Sequence, residues 1–125
     1  MAKVVHNDVL DAALEYIQNN CTRMVACSAQ PTTYTEANAT YALADVTMNS
    51  GDFSISDGDV SGRKLTVAAK SGVNVDVTGN PVVIALLDVA NSQVLYVTDE
   101  DSAQTIYSGN TVNFPAWDIE LEDPA

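Results

Sequence analysis

Apolar residues recur with two different periods along this chain, and the change falls near residue 20. In residues 7–20, Leu10, Ala13, Leu14 and Ile17 are spaced i, i+3, i+4, i+7, which places them on one face of a helix. Asn7 offers an N-cap oxygen, and Asp8 and Asp11 suit the positive end of the helix dipole. Asn19 and Asn20 suggest the stop, because Asn tolerates a left-handed residue.

Beyond residue 20 the period becomes two. Residues 21–27 read as a short strand. Residues 28–41, polar around Pro31, read as a loop with one helical turn at Thr35-Glu36-Ala37-Asn38. Residues 43–48 alternate as a strand, Asn49-Ser50-Gly51-Asp52 turns, and Phe53 and Ile55 share a face. After the turn at Asp57-Gly58-Asp59, residues 63–70 place Leu65 and Val67 together, and Ser71-Gly72 suggests another turn. Val73, Val75 and Val77 then alternate with polar residues as a half-buried strand. Residues 82–87 are apolar on both faces, as in a central or interface strand. Residues 94–98, 104–107 and 111–121 complete the strands, with Pro115 expected at an edge or bulge. Turn signals every 8–12 residues or so imply a single mainly β domain over residues 1–125. The expected form is an antiparallel β-sandwich or barrel-like body with one N-terminal α-helix.

Composition narrows the partners. Seventeen acidic residues against five Lys and Arg give a net charge of −12. So few cations argue against nucleic acid, whose phosphates need several to neutralise them. No run approaches the ~18 apolar residues of a membrane span. Asn7, Asp8 and Asp11 interrupt the stretch where a secretory signal would be apolar, so synthesis and residence in a cytosol are expected. Cys21 and Cys27 would lie about 20 Å apart on one extended strand, too far for a disulfide. Free thiols are expected.

No motif stands out as chemistry. His6, the single histidine, precedes the helix and reads as an exposed or packed side chain rather than a catalytic one. Zinc from His6, Cys21 and Cys27 would lack a fourth ligand. Gly58 to Lys64 has three residues between its glycines, not the four of a phosphate loop, and leads into a strand. Asp52, Asp57 and Asp59, and separately Asp99, Glu100 and Asp101, read as solvated acidic loops. Neither group has calcium-loop spacing, although oxygen ligands for Ca²⁺ are present. No oriented acid–base pair can be named for a hydrolase. The expectation is therefore no catalytic residues, no cofactor and no metal. Trp117 fits a core equally well as an interface anchor.

Three segments together carry a resemblance: Asn7-Asp8-Val9-Leu10-Asp11-Ala12-Ala13-Leu14, Val94-Leu95-Tyr96-Val97-Thr98, and Ser108-Gly109-Asn110-Thr111-Val112-Asn113-Phe114-Pro115-Ala116-Trp117-Asp118-Ile119. They resemble a group of short structural proteins of tailed bacteriophages and prophages, most closely a capsid decoration, or cement, protein. That resemblance implies a homo-oligomer, a trimer by preference, bound on the outside of a capsid to the major capsid protein or other virion proteins. It carries over no catalytic or ligand residue. A stable interface needs roughly 800 Å² per partner. The candidates to supply it are the two-sided strand, through Val82, Ile84 and Leu86, and the arm at residues 114–121, through Phe114, Trp117 and Ile119. Glu122-Asp123-Pro124-Ala125 reads as an exposed end or docking arm. The alternatives are a tail-tube, head-completion or tail-tip protein and, from another class, a carbohydrate- or receptor-binding β-sandwich using Tyr34, Tyr41 or Tyr107.

Overall fold

The computed structural model describes residues 5–99 and 104–122. Glu100, Asp101 and Ser102 of the expected acidic loop, and residues 123–125 of the expected docking arm, lie outside them. Helix α1 is Asn7–Asn20. Its N-cap is His6, not Asn7: the His6 Nδ1 accepts from the Asp8 amide at 3.0 Å. Its buried stripe runs through Leu14 and Cys21, with Ile17 partly buried, while Ala13 faces solvent. The helix ends without a left-handed Asn. Instead the Asn20 side-chain amide donates to the Tyr16 carbonyl at 2.8 Å, satisfying one of the last-turn acceptors.

Nine strands follow among the described residues: β1 Arg23–Cys27, β2 Ala42–Thr47, β3 Phe53–Asp57, β4 Arg63–Val67, β5 Lys70–Asn74, β6 Val83–Asp88, β7 Gln93–Asp99, β8 Thr111–Phe114 and β9 Trp117–Leu121. They form antiparallel sheets ordered β2-β1-β6-β7, β3-β4-β9 and β5-β8. The mainly β architecture with one N-terminal helix is as the alternation implies. The main core lies between the four-stranded sheet and the two smaller ones. Met24, Ala26, Ala44, Ile84 and Leu86 meet Phe53, Leu65, Val67, Val75, Phe114 and Ile119 there, with Leu14 of α1.

The smaller sheets are two halves of one ribbon. β4 pairs with β9 from Arg63↔Leu121 to Val67↔Trp117, and β5 pairs with β8 in the same register at Lys70↔Phe114. The ribbon breaks between, opposite Pro115, which has no N–H to donate to a ladder. Residues 63–70 and 111–121, read from sequence as continuous strands, are each broken at this corner. Ser71 and Gly72 do not turn the chain. They form an irregularity inside β5, where Gly72 has φ +67° and its N–H reaches the Asn113 side chain at 3.0 Å. Of residues 104–107, only Ile106 pairs, in an isolated bridge with Gly79.

Residues 28–41 are an ordered strap over the other face of the four-stranded sheet. Its helical turn is a π-helix, Glu36–Thr40. Ala37, with Tyr34 and Tyr41 beside it, covers a second core of Val25, Cys27, Val83, Ala85 and Leu87. The strap is braced internally by the Glu36 carboxylate, which accepts from the Thr32 N–H and hydroxyl at 2.9 and 2.8 Å. Arg23 adds a bond of 2.6 Å to the Asn38 side-chain oxygen.

At the β3–β4 turn, Gly62 has φ +71°, and a Cβ there would sit 1.9 Å from the Leu121 carbonyl oxygen. Gly109 has φ +92° with open space around it. Gly109→Ala should therefore cost about 1 kcal/mol, the left-handed penalty alone. Gly62→Ala should cost at least about 3 kcal/mol, because the backbone of β9 must also shift. Urea unfolding of the two variants checks the difference, which equal losses would contradict.

Candidate interaction surface

The six apolar residues singled out from sequence divide sharply. Ile84, Leu86, Phe114 and Ile119 are all buried in the main core. Their faces are covered by the chain's own sheets and helix, so none of the four presents a surface to another molecule. The two-sidedness of β6 has an internal cause. Ile84 and Leu86 face the main core, while Val83, Ala85 and Leu87 face the strap. Val82 precedes the strand and stays 38% exposed. Trp117 is half-buried and packs on Tyr96 of β7, with ring centroids 6.0 Å apart. Its indole N–H is buried and meets no acceptor among the described residues.

Val82 belongs to an apolar end of the molecule that alternation alone does not reveal. Beyond β5 and β8 the ribbon continues irregularly. Val75 and Asn110 remain bonded at 2.9 Å, the Ser108 N–H reaches the Thr78 hydroxyl at 2.9 Å, and Gly79 and Ile106 exchange bonds of 2.8 and 3.0 Å. These loops hold Val77 and Tyr107 at 51% and 57% exposure. The Val82 N–H bonds to the Cys27 carbonyl at the same end of the four-stranded sheet. A hollow of about 220 Å³ lies nearby, lined by Pro81, Ile106, Phe114 and Pro115 among others. The signal in the sequence was slight: Val77 is the third valine of an alternating run whose strand stops at Asn74.

The polar surface is organised by a few cations. Arg63 bonds Asp11 of α1 at 2.7 Å and Asp57 at 2.6 Å. Lys64 lies 2.8 Å from Asp59 and 3.7 Å from Asp118. Lys70 meets Asp52 at 2.8 Å. Burial alone would raise the Asp52 carboxyl, but Lys70 and the Asn49 amide outweigh it and hold the group below its ordinary value. Hydrogen bonds from Thr32 likewise lower the Glu36 carboxyl. With Arg23 on Asn38, every described basic side chain has a partner within the chain, and the remaining acids set the sign of the surface. Asp57 and Asp59 thus turn toward their own cations. Among the described residues no three His, Cys, Asp or Glu side chains gather as a metal site.

Cys21 lies in the main core and Cys27 in the second, on opposite sides of the sheet, and both are free. His6 is exposed at the helix cap, so the three potential zinc ligands do not converge. Of the tyrosines weighed for glycan contact, Tyr34 and Tyr41 pack on the second core, leaving Tyr107 exposed. Compared with protein-family models, curated proteins and solved structures, the chain matches none.

Two outcomes follow from this division. Leu86→Ala should lower stability by about 3 kcal/mol through the cavity it leaves, whereas Val82→Ala should change it by less than about 0.5 kcal/mol; denaturant titration reads both. Burial pushes the Cys21 and Cys27 thiols from 9.0 up to about 11. Between those values the unfolded chain releases thiol protons that the folded chain keeps, so stability falls as pH rises through that window. The double variant Cys21→Ala, Cys27→Ala should show a shallower alkaline loss in the same titration.

Proposed function

We propose that this protein is a structural component of a tailed-phage virion, a capsid decoration protein that reinforces the shell from outside as a homotrimer. The observation that carries this reading is the contrast between a closed, acidic body and an end where the loops leave Val77, Val82 and Tyr107 exposed, whereas the other strongly exposed valines, Val9 on α1 and Val60 in the β3–β4 turn, stand singly. The sheet faces are occupied by the chain's own core, so contact with other subunits falls to this end and to the strand edges. Apolar side chains ringed by polar loops suit a docking patch. The acidic surface repels DNA and favours a position outside the packaged genome.

The segments behind the resemblance also meet in space. Leu14 from the first, Leu95 from the second, and Phe114 and Ile119 from the third share the main core. Tyr96 of the second packs on Trp117 of the third. They make one packing framework, which is the kind of likeness a shared structural role would keep. In that role a small rigid body bridges neighbouring capsomers, and its buried contact area opposes their separation under internal pressure.

The test is co-sedimentation with empty expanded shells of a phage or prophage whose genome carries this sequence, together with equilibrium sedimentation of the free protein. A trimer that saturates a fixed number of shell sites is expected. Val82→Asp and Tyr107→Asp should each weaken shell binding by about tenfold or more, roughly 1.4 kcal/mol, without lowering the melting temperature. A monomer that leaves the shells bare would overturn the proposal.

A further inference from the structure

Among the described residues β7 is an outer strand of the four-stranded sheet, and its seven residues include neither Lys nor Pro. Edge strands commonly carry such guards, because an unpaired row of N–H and C=O groups is a template for another chain; the guard that β7 does carry, a bulge, is confined to its first half. Beside the first half of β7 runs an open groove of about 480 Å³. Tyr16 and Ile17 of α1 form one wall, Thr32 and Tyr34 of the strap the other, and Val94 and Leu95 the floor. The walls stand on opposite faces of the sheet: Ile17 and Leu95 pack on the main core, Tyr34 and Val94 on the second. A chain laid in this groove therefore lies in the plane of the sheet, alongside β7, rather than across a face. Tyr16, half exposed, donates to the Gln93 side chain at 3.1 Å and offers a stiff amphipathic contact at the rim.

Charge selects the occupant. Glu36 bonds the groove-lining Thr32, Asp99 ends β7, and Glu15 adjoins Tyr16 on α1. The described cations are engaged elsewhere, with Asn38, Asp11, Asp57, Asp59, Asp118 and Asp52. A second copy would bring the same acids and a net charge of −12 to this edge. An extended segment bearing Lys or Arg would bring the opposite sign. We propose that the edge of β7 and its groove receive an extended basic polypeptide segment, added as a further strand of the four-stranded sheet. Pairing is interrupted at Leu95, the extra residue of a bulge between Leu86↔Tyr96 and Leu87↔Val94. Backbone bonding therefore falls on the Tyr96–Asp99 side, and beyond the bulge a side chain of the segment fills the groove. This inference does not rest on the virion reading, and its test needs no capsid or other virion protein.

The probe is a fluorescent peptide of about ten residues alternating Val and Thr with Lys, a length that suits strand addition. Two twins accompany it, one with Glu for every Lys and one N-methylated at alternate residues. The Lys peptide should bind with salt-sensitive affinity and slow amide exchange at Tyr96–Asp99. Each twin should bind at least about tenfold more weakly, and Tyr16→Ala should weaken the Lys peptide about fivefold with an unchanged melting temperature. Equal binding of the N-methylated twin would reduce the effect to surface charge and overturn the proposal. So would an absence of binding, or unchanged exchange along β7. A free protein that dimerises with its β7 amides already protected would assign the edge to a second copy and overturn it as well.

Discussion

The fold turns on keeping β6 dry on both sides. All six of its residues are buried, and a strand with two apolar faces is stable only where each face has a cover. One cover is the bent ribbon with α1; the other is the strap of residues 28–41. Neither could be lost without exposing a sheet face. The strap is accordingly braced within itself by Glu36 on Thr32 and pinned to β1 by Arg23 on Asn38. The buried Asp88 closes the strand. Its carboxylate accepts from the Asn91 N–H and side-chain amide, so an acid at the edge of the core has the partners that burial demands.

With β6 enclosed, the remaining architecture is a problem of tying separate covers to it. Pro115 lets one ribbon serve in two sheets by breaking its ladder at a single level. The scarce cations do comparable work at the surface. Arg63 links α1 to the β3–β4 turn through Asp11 and Asp57, and Lys70 links the start of β5 to Asp52. Exposed ion pairs contribute little individually, and in a chain this acidic their main effect is to decide which carboxylates are neutralised locally. The acids left over make the outer field negative wherever another molecule approaches.

The helix and most strands were legible because period describes which side chains share a face, and that is a local property. What covers a face is not local. Residues 82–87 look the same whether their second side meets a strap of the same chain or another subunit, so Ile84 and Leu86 could be read as contact residues when they are core. The strap itself was illegible for the complementary reason: its polar, Thr-rich sequence hides the few residues, Tyr34, Ala37 and Tyr41, that perform the covering. Ser71-Gly72 was misread because a glycine at positive φ serves a bulge as well as a turn. Val82 and Trp117 kept exposed area for different reasons, one lying just before its strand and the other at the sheet margin beside Tyr96.

A protein that spends its apolar faces on itself leaves only what the sheets do not cover for any contact with another molecule. Two such places are an end and an edge. The end, with Val77, Val82 and Tyr107, offers apolar contact with no backbone pattern and suits a rigid partner of matching shape. The edge of β7 offers backbone and charge and suits a flexible partner that becomes ordered on binding, at an entropic cost the rigid contact does not carry. The two surfaces therefore differ in kind. High salt should act chiefly on the charged edge, whereas changes in apolar area should act chiefly on the end. A single partner using both would gain through effective concentration rather than through any stronger contact.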